Sequence, residues 1–185
     1  MRIAANRSSL LSLLAAAVFA AVAAPAALRA AEPVTADSGR IVVMISIDGL
    51  AGHYLDDPKA EMPTIRELAK EGARAASMKA VAPTVTWPNH TTLVTGDYPA
   101  RHGVVGNNYF DRKTGKRVTL IADPVYGKDE IVKVPTIYDM AKDAGLRTAG
   151  MRWPMTRGAK ALDWNMPDIL IMDLLRKYTT PSLLA

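Results

Sequence analysis

Along the chain, apolar positions fall into short blocks separated by Pro, Gly and charged residues. The first block of interest, Ile41-Val42-Val43-Met44-Ile45-Ser46-Ile47, is a near-continuous apolar run that is β-branched at most positions. That pattern predicts a central strand buried on both faces, and it stops at Asp48-Gly49. A helix is predicted over Pro63 to Glu71, with proline at its start, Ile65, Leu68 and Ala69 on one face, and Gly72 at its end. Arg74 to Val81 reads as the next strand. PTIRELAKEGARAASM (Pro63 to Met78) is echoed by PTIYDMAKDAGLRTAGM (Pro135 to Met151) with one inserted residue. Two copies do not make a solenoid. The echo reads as one packing solution used twice, a proline-started helix ending at glycine and feeding a strand of the same sheet. Between the copies, Tyr109 to Ile121, with a turn at Lys113-Thr114-Gly115-Lys116, reads as a hairpin. Asp168 to Tyr178 reads as one more helix. The alternation implies an α/β fold, a mainly parallel sheet sandwiched by helices.

The N-terminal block has another character. Residues 1–31 hold 23 hydrophobic residues and no acid. Arg2 and Arg7 form a positive start, Leu10 to Ala24 an apolar run, and Pro25 to Ala31 a small-residue region with cleavage expected after Ala26, Ala30 or Ala31. A spanning helix needs roughly 20 apolar residues, and this run ends earlier, at Pro25. Residues 1–31 are therefore read as a signal peptide, 32–40 as a linker and 41–185 as the folded part. A secreted or periplasmic protein without a stable membrane anchor is expected. Without the three arginines of the leader, 20 basic residues face 18 acidic ones, so the net charge drops from +5 to +2. Nothing there points to binding of nucleic acid duplexes, which favours a concentrated basic face. The absence of cysteine excludes disulfides, thiolate metal sites and a cysteine nucleophile.

Three features fall where α/β proteins place their chemistry. Asp48 follows the C-terminal end of the predicted strand, where ligands bind in open parallel sheets. It is a candidate hard ligand for a divalent metal, or simply the residue that turns the chain before Gly49. In Pro83 to Gly96, Pro88 suits a first helical turn and Gly96 an end. That puts Thr86 at a helix N-terminus, where free N–H groups favour anions. Its hydroxyl is either a nucleophile, if a base or metal activates it, or an N-cap. Asn107 and Asn108 end the loop His102-Gly103-Val104-Val105-Gly106, and an asparagine amide either donates to a developing oxyanion or occupies a turn.

The ordered set Ile47-Asp48-Gly49, TVTWPNHTTLVTG and YPARHGVVGN resembles the alkaline phosphatase superfamily, most closely its type I phosphodiesterase/nucleotide pyrophosphatase branch. The likeness runs from about Ile41 to Asn108 and, more loosely, through PTIYDMAKDAGLRTAGMRWP. It implies an alkaline-phosphatase-like fold and a two-Zn²⁺ site. Asp48 would be a metal ligand, Thr86 the nucleophile and also a ligand, and Asn107 the oxyanion donor. Trp87 occupies a position that in this branch contacts a nucleobase, with core packing the equal alternative. The implied reaction is hydrolysis of phosphate diesters or pyrophosphates of nucleotide type through a phospho-threonine. In the family pattern His90 and His102 are not ligands and are expected to form structural hydrogen bonds. A sulfatase is disfavoured, because His90 stands where that pattern has arginine. The pattern also needs further Asp and His ligands after Asp168, yet the chain has no Asp-His pair and no histidine beyond His102. The resemblance therefore implies an incomplete copy, truncated on the C-terminal side. A phosphomonoesterase of the same superfamily and a non-catalytic phosphate- or nucleotide-binding remnant are the alternatives.

Overall fold

A computed structural model of the chain describes residues 39–121 and 126–184. The predicted leader and most of the linker lie outside the described residues. Helix α1 spans Pro63–Glu71 and ends at Gly72, as the pattern predicts. Helix α2, Thr86–Thr95, closes on a left-handed Gly96, and a single turn, α3, covers Pro99–His102. Strands β1 (Asn108–Asp111) and β2 (Lys116–Thr119) form the predicted hairpin, antiparallel with Tyr109 opposite Val118. The short α4 (Lys128–Ile131) precedes α5 (Ile137–Asp143) and β3 (Ala149–Trp153). Strand β4 (Trp164–Pro167) pairs with β3 in parallel, and α6 spans Met172–Tyr178.

The second copy of the echoed motif forms both its helix and its strand, although the helix starts at Ile137, past Pro135 rather than on it. Thr136 caps α5 by accepting from the Asp139 N–H. The chain reverses at Gly145, whose φ of +78° suits glycine, and continues into β3. The first copy forms its helix only. Gly72 adopts φ −109°, and Arg74 to Val81 joins no strand ladder among the described residues. The predicted central strand also differs. Ile41 to Ile47 pairs with no strand among the described residues, and its side chains stand exposed, Val42 at 91%. A both-faces-buried strand needs a neighbour on each edge and a layer on each face. Strands β3 and β4 pair with one another along one edge each and not with this segment. The described parallel sheet thus has two strands.

Helix α6 starts four residues later than the pattern predicts. Ile169 is buried at 1% exposure, its N–H bonds Pro167, and its carbonyl accepts from Arg152 Nη1 at 2.9 Å. This local turn and the long-range bond from Arg152 hold Asp168 to Ile171 out of the helix. The principal core joins Trp87, Val104, Leu120, Val132 and Met155, with Tyr109, Val118 and Ile131 packed against them. It therefore ties α2 to the hairpin, to the loop after α3 and to the end of α4.

Candidate functional site

The site is built on the first turn of α2. Four hydrogen bonds of one side chain shape the approach to it. Asn89 Oδ1 accepts from the Val81 N–H at 2.8 Å, while Nδ2 donates to the carbonyls of Val81, Pro83 and Val85 at 3.4, 3.1 and 2.9 Å. The loop before Thr86 is thereby wrapped around its own helix. Asn89 heads the sequon Asn89-His90-Thr91, and its amide is engaged in these bonds.

Thr86 is the first residue of α2, with Val85 as the cap residue and no side-chain cap. The N-cap reading is replaced by a longer-range contact, since Thr86 Oγ1 donates to Asp48 Oδ2 at 2.9 Å. The two sequence candidates, 38 residues apart, therefore meet. Asn107 joins them from the loop before β1, its Oδ1 accepting from the Trp87 N–H at 2.9 Å. That bond satisfies one of the orphan donors of the helix start and fixes which end of the amide faces away. Asn107 Nδ2 and the Thr86 N–H have no partner among the described residues, and both are donors suited to an anion at a helix N-terminus.

The loop carrying Asn107 is anchored by His102 and Gly103. Gly103 sits at φ +85°, and a Cβ there would meet the Ile131 carbonyl at 2.9 Å, so a side chain is excluded twice over. His102 is fully buried. Its Nδ1 accepts from the Val104 N–H at 3.1 Å, so Nε2 carries the proton and donates to Thr92 Oγ1 at 3.0 Å. Burial lowers the pKa of His102 from its ordinary value, outweighing the nearby Asp97 and backbone hydrogen bonds, which act to raise it. The sign follows. An unfolded imidazole takes up a proton near about 6.5, and the folded one only at lower pH, so the unfolded chain binds more protons in between. Stability is complete above about 6.5 and is lost as pH falls towards the folded value. Urea unfolding midpoints are expected to fall between pH 7.5 and 5, with His102→Gln losing most of that slope. An equal slope in the variant would refute the assignment.

Trp87 is 3% exposed and belongs to the core cluster. Its indole Nε1 is buried without a partner among the described residues. Among the described residues the ring is packed in this core. His90 forms structural hydrogen bonds, to the Thr86 carbonyl at 2.8 Å and to Ser46 Oγ at 3.0 Å. Arg152 meets the Ile169 carbonyl and Asp168, Arg101 pairs with Asp97, and Arg157 donates to Tyr178. None of the three is tied to Thr86. The contributions of Ser46 and Asn89 were not legible as roles. Ser46 had a signal, being the one hydroxyl in an apolar run and two residues before Asp48, hence on the same side of an extended chain.

Asp48 Oδ2 and Thr86 Oγ1, 2.9 Å apart, are adjacent hard oxygen donors that fit one edge of a zinc shell. A zinc site wants about four ligands, and no group of three or more His, Cys, Asp or Glu fit to hold a metal occurs among the described residues. The donor set is thus partial and does not by itself make a two-metal centre. No helix among the described residues is long and apolar enough to cross a membrane.

The family model for type I phosphodiesterase/nucleotide pyrophosphatase matches residues 42–183. Over 117 residues the chain is 32% identical to ectonucleotide pyrophosphatase/phosphodiesterase family member 3 of Rattus norvegicus, covering 61% of this chain and 13% of that protein. It is 34% identical over 113 residues to venom phosphodiesterase of Naja atra, covering 61% and 14%. Among solved structures, murine ectonucleotide pyrophosphatase/phosphodiesterase 5, an inactive variant in complex with AMP, is similar with a TM-score of 0.52 at 30% identity, over 59% of this chain and 29% of that one. The chain thus spans about one eighth of the length of the first relatives it matches. Its fold class is the α/β, alkaline-phosphatase-like one that the three sequence blocks imply. On these matches the chain belongs to the type I phosphodiesterase/nucleotide pyrophosphatase family.

Proposed function

We propose that this chain carries the nucleophile half of a hydrolase acting on phosphate diesters or pyrophosphates of nucleotide type, with Thr86 as the attacking residue. The observation that carries the reading is the 2.9 Å bond from Thr86 Oγ1 to Asp48 Oδ2 at the start of α2. The hydroxyl is held with its proton on a carboxylate and its free lone pairs available. In the first step a Thr86 Oγ1–phosphorus bond forms and the bond from phosphorus to the leaving oxygen breaks. The hydroxyl proton passes by way of Asp48 to the leaving oxygen, so that the carboxylate is regenerated. The charge on a non-bridging oxygen is met by Asn107 Nδ2 and the Thr86 N–H, with the helix dipole adding to both. Water then hydrolyses the phospho-threonine, releasing the product and restoring the hydroxyl. Bound by Asp48 and Thr86, a divalent ion would supply the lowered hydroxyl pKa that a bare threonine lacks. Completion of such a two-zinc site requires ligands beyond those described, which is the proposed meaning of the partial donor set. The leader implies a secreted or periplasmic setting, with small-molecule nucleotide esters as substrates.

The reading is supported by the murine relative, whose inactive form carries a threonine-to-alanine substitution and is in complex with AMP. The test is zinc stoichiometry and turnover of p-nitrophenyl thymidine phosphate by this chain and by an extended one that supplies further Asp and His ligands. Turnover by the extended chain is expected. Zinc binding without turnover would instead favour a phosphate-binding remnant, and preference for p-nitrophenyl phosphate a monoesterase. Asn107→Ala is expected to slow formation of the covalent intermediate by roughly 10²- to 10³-fold, as for other lost oxyanion donors. A rate within threefold of wild type in stopped-flow measurements would remove Asn107 from the site.

A further inference from the structure

We propose that His90 is a positioning residue, an imidazole strut that holds the Ser46-Ile47-Asp48 segment against the first turn of α2 and so sets the Asp48–Thr86 contact. This rests on the reading of Thr86 as nucleophile. Three bonds close a ring through the site. His90 Nδ1 lies 2.8 Å from the Thr86 carbonyl, and since a carbonyl only accepts, Nδ1 carries the proton. Nε2 is then bare and accepts from Ser46 Oγ at 3.0 Å. Two residues on, Asp48 Oδ2 accepts from Thr86 Oγ1 at 2.9 Å. The imidazole is therefore bonded at one end to the backbone of the nucleophile and at the other to the segment that carries its carboxylate partner.

The strut matters because little else fixes that segment. Ile41 to Ile47 has no strand partner among the described residues, and Ile45 and Ile47 are exposed at 77% and 52%. His90, by contrast, is 8% exposed. Its ring meets Trp153 edge to face, with centroids 5.3 Å apart, so its rotamer is set by packing at the end of β3. Only one tautomer serves both bonds. A protonated ring has no acceptor for Ser46, and the opposite tautomer opposes lone pairs at the Thr86 carbonyl.

Two measurements test the strut. The first needs no turnover. In the 185-residue chain labelled with ¹⁵N, NMR at neutral pH is expected to show His90 as the Nδ1–H tautomer. Ser46→Ala is expected to move both the His90 ring nitrogens and the Thr86 backbone amide. An Nε2–H tautomer, or a Thr86 amide unmoved by Ser46→Ala, overturns the proposal whether or not the chain is an enzyme. The second uses the extended chain and p-nitrophenyl thymidine phosphate. His90→Phe keeps a ring against Trp153 and removes both bonds. It is expected to lower kcat roughly 10- to 100-fold, as for a misplaced reacting group, with KM within about twofold. His90→Gln, whose side-chain carbonyl can accept from Ser46, is expected to recover most of kcat. A kcat for His90→Phe within twofold of wild type, or no recovery in His90→Gln, overturns it. Absence of turnover in the wild-type extended chain would sink the phosphodiesterase reading alone, the NMR result still deciding the strut.

Discussion

Thr86→Ala is expected to eliminate the covalent intermediate altogether while leaving the fold intact. Alanine is the best helix former, and Thr86 supplies no cap to α2, so nothing structural depends on the hydroxyl except the bond to Asp48. The N–H of residue 86 and the Asn107 amide remain, and the anion-binding end of the helix survives. The variant is thus expected to bind nucleoside monophosphate with affinity within a few-fold of wild type while losing essentially all turnover. This pattern belongs to a group acting only along the reaction path. Trapping by acid quench and mass spectrometry of the peptide spanning Pro83 to Thr95 should find the nucleotidyl adduct in wild type only. Thr86→Ser, which keeps an oxygen but loses the methyl that restricts χ1, should form the adduct more slowly. An adduct elsewhere, or normal turnover in Thr86→Ala, would remove Thr86 from its role.

How far the sequence anticipates this depends on the range of the forces involved. Pro63–Glu71, the hairpin around Lys113 to Lys116, and the turn of α5 into β3 at Gly145 are encoded by local signals, namely proline at a helix start, glycine at φ +78° and a tight turn. All three form where the pattern puts them. Ile41 to Ile47 shows the limit. Its composition states that it suits burial on both faces, but burial is a property of neighbours, and the described residues provide no strand for it. The site divides the same way. Asp48, Thr86 and Asn107 are visible because three motif blocks share an order, and the structure brings them together. Ser46 and Asn89 act through hydrogen bonds set by the three-dimensional path of the loop, for which periodicity carries no signal. The position of Trp87 in its motif suits either packing or base contact, and its packing, at 3% exposure, depends on neighbours that no local pattern names.

The largest expected loss of stability lies away from the site, at Asp139→Ala. Lys128 on α4 is buried to 8% side-chain exposure, and its Nζ meets Asp139 Oδ2 at 2.5 Å. The same oxygen accepts from the Thr136 N–H at 2.8 Å and the Thr136 hydroxyl at 2.7 Å. One carboxylate thus neutralises a buried cation and completes the cap of α5. Burial alone would raise its pKa, but Lys128 and Thr136 together outweigh it and hold the carboxyl below its ordinary value. Removing one partner of a buried pair costs about 3–5 kcal/mol because the other charge is stranded. Here Asp129, 3.2 Å from Lys128 but 58% exposed, offers partial compensation, so about 3 kcal/mol is expected. For a domain whose stability is about 5–15 kcal/mol, that is a large share. The loss should appear as a lower urea midpoint at unchanged m-value. Lys128→Met added to Asp139→Ala should recover part of it, since the stranded charge is then gone. The wild-type pair contributes fully above the unfolded carboxylate value of about 3.9, and that contribution is lost as pH falls through the lower folded value. Asp139→Ala should lack this limb of the acid-unfolding curve. A loss under about 1 kcal/mol, with the double variant no better than the single, would show that Lys128 finds water and that the pair is not what joins α4 to α5.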